Sequence, residues 1–370
     1  MVVTDNASNI TNAIVDFLQL KHYGCYAHKI NLIVQKSVEP ANQMIAKVKS
    51  IVAHFKRSNK AALKLVKYQE QSGIKEPKRL IQDIVTRWNS TFFMLERFVL
   101  LEEAIKHSLA LLDTGLTPLT ADEWEVCKQL CSILEPFHEV TKEMSTEKYL
   151  TASKVIPITK GLKSAITKLS RNVSKDLVKT ISSNMLKGID ERFPNLEKSK
   201  SFSLCTFLDP KYKHYLFQEA STERETKDNV IKLVTGFINQ KAKDSTIQET
   251  DEPNPLEAEG KTKVSVWDDC DETIRKVKPQ GTAYSSAIRE VQRYMDDPPI
   301  SRKENSLEWW KKHQYDYPNL SAIVKLRCNL VATSVPSERV FSKTGYILTE
   351  RRRRLTSQKV KELMFLNMNT

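Results

Sequence analysis

Val2-Val3-Thr4-Asp5-Asn6-Ala7-Ser8-Asn9 reads as the end of a buried strand, an acidic residue at its tip and a polar turn. β-branched residues suit a pleated, half-buried backbone, and Asn, Asp and Ser suit the turn that ends it. Nuclease-type sites place metal-binding carboxylates at strand ends, but two-metal chemistry takes several carboxylates. Only four residues precede Asp5. Two readings therefore stand open: a structural Asx-type turn, or a site residue in a chain that begins midway through a larger protein. The stretch also decides the fold class. It adds a strand to a chain whose remaining periodicity is almost all helical.

Working outward, Ser8 or Asn9 can cap a helix that carries Ile10, Ile14, Phe17 and Leu18 on one stripe. Gly24-Cys25-Tyr26-Ala27-His28 leads into Ile30, Ile33 and Val34. Met44, Ile45, Val48, Ile51, Val52 and Phe55 follow at helical spacing, and residues 59 to 80 are polar and basic. From Thr86 to about Phe193 the pattern is helical almost throughout. Cys127 and Cys131 sit four apart on an apolar face and read as core thiols. Residues 241–283 are acidic in part, contain Pro253 and Pro255, and read as a flexible linker or long loop. Leu320, Ile323, Val324 and Leu330 mark a later helix, Pro336 and Ser337 open another, and Val360, Leu363, Met364 and Leu366 lie on a final amphipathic one.

Composition sets the outer bounds. The 370 residues suffice for two or three cores. Nine glycines argue against phosphate-cradling loops, and no Walker loop, Gly-x-Gly-x-x-Gly or Ser-His-Asp layout is present. Six cysteines without framework spacing fit a reducing compartment. No run has the length of a membrane span, and the N-terminus lacks the layout of a signal peptide. The net charge of +13 fits either a polyanionic partner or a generally basic surface. Residues 301–370 hold 14 Lys+Arg against 6 Asp+Glu, which concentrates the excess there.

Several constellations could carry chemistry, each beside a plainer reading. Glu338 falls in the first turn of a helix, where a carboxylate is favoured by the helix dipole. Together with Asp5 it could instead supply hard oxygen ligands. Cys25 and His28 form one Cys-x-x-His pair, either half of a zinc site or a strut joining a turn to a helix. Arg87-Trp88 sets a cation beside an indole, suited to phosphate and unpaired base, or else a buried anchor. Trp309-Trp310 reads as core or interface. Arg351, Arg352, Arg353 and Arg354 form a phosphate contact, a nuclear import signal or a solvated flank.

Taken together, four blocks in order resemble the hAT-superfamily transposases and their domesticated descendants, the zinc finger BED domain-containing proteins among them. The first is Val3-Thr4-Asp5-Asn6-Ala7-Ser8-Asn9 with Cys25-Tyr26-Ala27-His28 and Asn31-Leu32. The second is Thr86-Arg87-Trp88-Asn89-Ser90 and the third is Leu208-Asp209-Pro210-Lys211-Tyr212-Lys213. The fourth runs from Trp309-Trp310 through Ser334-Val335-Pro336-Ser337-Glu338-Arg339-Val340-Phe341-Ser342 to Leu366-Asn367.

The resemblance implies a ribonuclease-H-like core interrupted by a large all-helical insertion. In this chain that means a mainly α protein with an incomplete, partial α/β core. The implied layout is partial core at 1–40, helical insertion at 41–240, linker at 241–283, and a C-terminal core segment with the dimerisation region at 284–370. Asp5 and Glu338 match the second Asp and the Glu of a catalytic triad that holds Mg²⁺ or Mn²⁺. Trp88 matches the residue that stacks on a flipped base. Trp309, Trp310, Phe341, Val360, Leu363 and Met364 fall in the dimerisation region. The first catalytic Asp and the BED zinc finger match nothing here. The expectation is therefore an N-terminally truncated, nuclear protein that binds DNA and forms homodimers or higher oligomers without cleaving DNA. The alternative is the major part of an active transposase whose N-terminus is missing.

Overall fold

The computed structural model describes residues 2–5, 7–84, 88–145, 151–248, 267, 269–270, 273, 281–347 and 355–369, without the side chains of 245–248, 341, 343, 345–346 and 368–369. The described chain is mainly helical. Its sheet is one parallel pair, β1 (Val2–Thr4) and β2 (His22–Gly24), in register Val2 to His22, Val3 to Tyr23 and Thr4 to Gly24. Parallel strands cannot be joined by a tight turn and take a crossover. Here α1 (Ser8–Asn12) and a π-helical stretch, Ala13–Phe17, supply it. The π winding rotates the side chains away from the α-spaced stripe. Ile14 is buried, while Phe17 is 89% exposed and Ile10 and Leu18 also face outward.

The contacts divide the chain into two compact units, Met1–Leu196 with Val331–Thr370, and Glu197–Leu330. The divisions expected after 40, 240 and 283 do not coincide with these borders.

In the first unit the helices are α2 (Tyr26–Ser37), α3 (Asn42–Arg57), α4 (Asn59–Gln71), α5 (Trp88–Leu100) and α6 (Glu102–Ala110). They continue with α7 (Ala121–Met144), α8 (Val155–Ser170) and α9 (Asp176–Arg192). α2 packs on α7 and α9, α5 on α7, and α4 on α3 and α6. The start of α7 is fixed by a reciprocal cap. Thr120 Oγ1 accepts from the Glu123 N–H at 3.2 Å, and Glu123 Oε2 accepts from the Thr120 N–H at 2.9 Å. Met44, Val48, Ile51, Val52 and Phe55, spaced for one helical face, are all buried.

The second unit contains α10 (Lys200–Phe207), α11 (Ala220–Gln248), α12 (Ala283–Asp296), α13 (Ser306–Lys312) and α14 (Pro318–Arg327). α11 runs eight residues past the point where a linker was expected to begin. The third sequence block, around Pro210, is a structural staple of this unit. Asp209 is buried and accepts from Ser306 Oγ at 2.8 Å. Lys213 is fully buried and donates to the Tyr294 carbonyl at 2.5 Å and the Asp297 carbonyl at 2.6 Å, closing the end of α12.

Returning to the first unit, the chain ends in α15 (Val335–Ile347) and α16 (Ser357–Asn369), which pack on each other.

Candidate functional site

The tip of β1, the turn from β2 into α2, and the irregular segment before α15 meet at one place. The Cys25 N–H donates to the Thr4 carbonyl at 2.6 Å, continuing the parallel ladder one residue past β2. Tyr26 opens α2 and its N–H donates to the Ala332 carbonyl at 2.9 Å. The Ser334 N–H donates to Cys25 Sγ at 3.3 Å, and Ser334 Oγ donates to Glu338 Oε1 at 2.7 Å. A bonded path thus runs from the β1 tip through Cys25 and Ser334 to Glu338. The segment is tied down further by Ala332 N–H to Thr151 Oγ1 at 2.8 Å and Thr333 Oγ1 to the Met144 carbonyl at 3.2 Å.

Asp5 lies one residue beyond the last paired residue of β1 and is partly exposed. Its Oδ1 is buried and has no hydrogen-bond partner among the described residues. An orphaned buried carboxylate oxygen is costly and calls for a cation or donor. Thr4 Oγ1 donates to the Asp5 carbonyl at 2.8 Å and also meets His22 Nε2 at 2.9 Å. With its single proton spent on Asp5, the Thr4 hydroxyl can only accept from His22, so Nε2 carries the hydrogen. Glu338 is exposed and lies in the first turn of α15.

The thiol of Cys25 is buried and already engaged as an acceptor, whereas His28 is partly exposed. Among the described residues no group of three or more His, Cys, Asp or Glu side chains could hold a metal ion. Lys29, next in α2, lies over the Tyr23 ring at 4.4 Å. Burial, and then the Arg192 charge, hold its ammonium below the usual lysine range, with Cys25 opposing. Tyr26 is fully buried, stacks on Phe193 at 4.5 Å and bonds Thr159 Oγ1 at 2.9 Å. Burial pushes its phenol well above the ordinary range.

The second sequence block touches the first. The Trp88 N–H donates to Asn31 Oδ1 at 3.2 Å. The Trp88 ring is only 5% exposed and packs near Phe92 and Phe137. It forms one wall of a cavity of about 260 Å³, with Val38, Leu95 and Leu134 as apolar lining and Gln35, Asn42 and Lys49 as polar lining. Arg87 and the run Arg351 to Arg354 lie outside the described residues.

The residues expected to form a dimer surface divide. Trp310 is 4% exposed, its Nε1–H donates to the Leu208 carbonyl at 2.9 Å, and its ring stacks with Tyr294 at 5.2 Å. Trp309 is partly buried in the same cluster, stacked with His313 and Tyr317. Met364 is 9% exposed and faces α15, where its sulfur accepts from Thr344 Oγ1 at 3.2 Å. Both Trp310 and Met364 therefore serve as internal packing. Val360 and Leu363 are partly exposed, and the side chain of Phe341 lies outside the described residues. On the same helix Phe365 is 70% exposed and Leu366 is 59% exposed.

Reading the sequence alone missed Ser334, Thr151 and Asn31 as partners. For Ser334 a signal existed: it stands four residues before Glu338, the spacing that lets its hydroxyl reach the carboxylate on one helix face. Nothing local marks Thr151 or Asn31.

Fold and site define a mainly helical protein with a partial α/β core and a carboxylate at the strand tip. Residues 23–133 match the model of the ZBED1 RNase-like helical domain, and residues 290–370 match the hAT family C-terminal dimerisation region. The chain is similar to hAT-family transposases and to the zinc finger BED domain-containing proteins. It is 24% identical to zinc finger BED domain-containing protein 4 of Homo sapiens, over all of this chain and 31% of that protein. It is 25% identical to the putative AC transposase of Zea mays, over 93% of this chain and 43% of that protein. It is 26% identical to the putative transcriptional regulator tpeD of Talaromyces stipitatus, over all of this chain and 45% of that protein. The chain thus spans less than half the length of these relatives. No described helix is long and apolar enough to cross a membrane.

Proposed function

We propose that the chain acts in the nucleus as a transposase-derived protein that self-associates through its C-terminal region and binds DNA without cleaving it on its own. The observation that carries this reading is the match of residues 290–370 to the hAT family C-terminal dimerisation region. DNA is the partner that suits a net charge of +13, and the maize relative is a putative transposase. Arg87 and Arg351 to Arg354 are the candidate contacts along the chain, and the Trp88 ring, 5% exposed, would reach a base only by opening. The non-catalytic part of the reading rests on carboxylate supply: Asp5 and Glu338 are two, and phosphoryl chemistry with two metals takes more.

One observation favours the second reading, an active metal-dependent transposase completed by a further carboxylate. Among the described residues Asp5 Oδ1 is a buried acceptor without a donor, which a divalent cation such as Mg²⁺ or Mn²⁺ would satisfy. Asp5 and Glu338 would be its ligands from this chain, and the metal would supply a nucleophile and charge neutralisation. Light scattering, together with nicking of duplex DNA in Mg²⁺ or Mn²⁺, tests both. A dimer that binds DNA and leaves it intact supports the first reading. Nicking that disappears in Asp5→Ala establishes the second, and a monomer at micromolar concentration overturns self-association.

A further inference from the structure

A second concentration of positive charge lies away from the C-terminal tract. Residues 56–79 carry eight Lys+Arg against Glu70 and Glu76, a net of +6 within a chain whose total is +13. The structure turns this into one surface. Lys56 and Arg57 end α3, Lys60 and Lys67 lie on the outer face of α4, and Lys78 and Arg79 lie in the segment that follows, all six exposed.

That last segment is held in place. Gln69 is 1% exposed, and its side chain grips Lys78 from both sides. Its Oε1 accepts from the Lys78 N–H at 2.8 Å and its Nε2 donates to the Lys78 carbonyl at 3.0 Å. Arg97 Nη1 donates to the Arg79 carbonyl at 2.9 Å, bringing a further cation to the same place.

Helix stability does not account for the pattern. Lys56 and Arg57 suit the C-terminal turn of α3. Lys60, however, stands in the first turn of α4, where the dipole favours acids, and Glu70 stands in its last turn, where the dipole favours bases. A local preference reversed at both ends of a helix points to a demand from outside the helix.

We infer that this surface docks the phosphate backbone of duplex DNA. The inference rests on the DNA-binding reading above and names the surface that serves it. Lys60 and Lys67 are two helical turns apart, roughly 10 Å along the axis. That is close to the ~12 Å width of the major groove, so the two ammoniums can meet phosphates on its two edges. Single-stranded partners are held by stacking on aromatic rings. This surface offers none: its one aromatic residue, Tyr68, is partly buried against His107 at 4.6 Å. The outward apolar residues here are Leu63 and Ile74. Backbone contact of this kind is sequence-independent and salt-dependent.

The test uses the whole chain with random-sequence duplex DNA across a salt series. The variant is K60Q/K67Q/K78Q/R79Q. The control K311Q/K312Q/K325Q/R327Q removes the same charge from exposed positions elsewhere. The expected result is that the first variant binds about tenfold or more weaker at low salt, with a salt slope reduced by about 3 to 4, while the control binds as wild type. An unchanged melting temperature shows that the variant is folded. Wild-type binding that the first variant leaves intact, or that both variants reduce equally, overturns this inference alone. No wild-type binding to duplex at low salt overturns the DNA reading itself. Tighter wild-type binding to duplex RNA, lost in the first variant, reassigns the surface to RNA and overturns the proposal as stated.

Discussion

Cys25 Sγ accepts the backbone N–H of Ser334 at 3.3 Å across 309 positions of sequence. The contact fixes the start of α15, and so Glu338, against the turn that follows β2. It also gives Cys25 a structural task that needs no metal. Removing the thiol leaves a part-buried N–H without its acceptor, a loss of roughly 1–3 kcal/mol.

Cys25→Ala should therefore lower the melting temperature by several degrees, at about 2–4 °C per kcal/mol for a unit of this size. Cys25→Ser, which keeps an acceptor, should lose less. Thermal unfolding with and without a zinc chelator checks the assignment. A large chelator-induced drop in the wild type would give Cys25 and His28 to a metal instead.

Trp88→Ala should cost about 3–5 kcal/mol, since the ring is nearly enclosed between α5 and α7. The melting temperature should fall by around 10 °C. Affinity for single-stranded and duplex DNA should fall together, as both follow the folded fraction. A selective loss of single-strand binding at an unchanged melting temperature would show the indole opening toward a base.

Lys213 should make the stability of its unit rise with pH. Burial pushes its ammonium down from 10.5 to about 8, with Asp297 and Asp296 opposing. Below about 8 both folded and unfolded chains hold the proton. Between about 8 and 10.5 the unfolded chain binds the proton and the folded chain has released it, so the folded state gains as pH rises. Denaturant unfolding of wild type and Lys213→Met at a series of pH values checks this. The difference between the two should grow through that window. A flat difference would mean that the two carbonyl acceptors keep the lysine charged.

On α16, Met364→Glu and Phe365→Glu should have different consequences. Met364 is packed against α15, so a carboxylate there should cost about 2–5 kcal/mol in unfolding experiments. Phe365→Glu with Leu366→Glu, at more exposed positions, should cost less than Met364→Glu in unfolding and weaken self-association in sedimentation experiments. An unchanged mass for the double variant would move the interface off this helix.

What the sequence made legible follows its local signals. The strand at Val2–Thr4, its acidic tip and the stripe of α3 could be read because each is written in consecutive or helically spaced residues. β2 could not: three residues are too few to show alternation, and His22–Gly24 is a strand only because β1 lies beside it. The burial of Lys213 was hidden for a similar reason. A lysine in Asp209-Pro210-Lys211-Tyr212-Lys213 looks solvent-facing until the carbonyls of Tyr294 and Asp297 arrive from a distant helix. At Leu363, Met364, Phe365 and Leu366, four apolar residues in a row do not say which face is inner. For Asp5 and Glu338 the sequence could nominate carboxylates, but the path joining them through Cys25 and Ser334 exists only in three dimensions.

The division of the first unit between residues 1–196 and 331–370 also sets a schedule for synthesis. Cys25 leaves the ribosome 309 positions ahead of Ser334, a delay of roughly 15–60 s at ordinary translation rates of about 5–20 residues per second. Throughout that interval the turn after β2 lacks its closing segment, and the acceptors at Thr151 and Met144 wait as well. The nascent first unit thus keeps these groups unpaired until the whole second unit has been made. Premature termination near residue 330 would release a chain whose Cys25 turn never receives its closing segment.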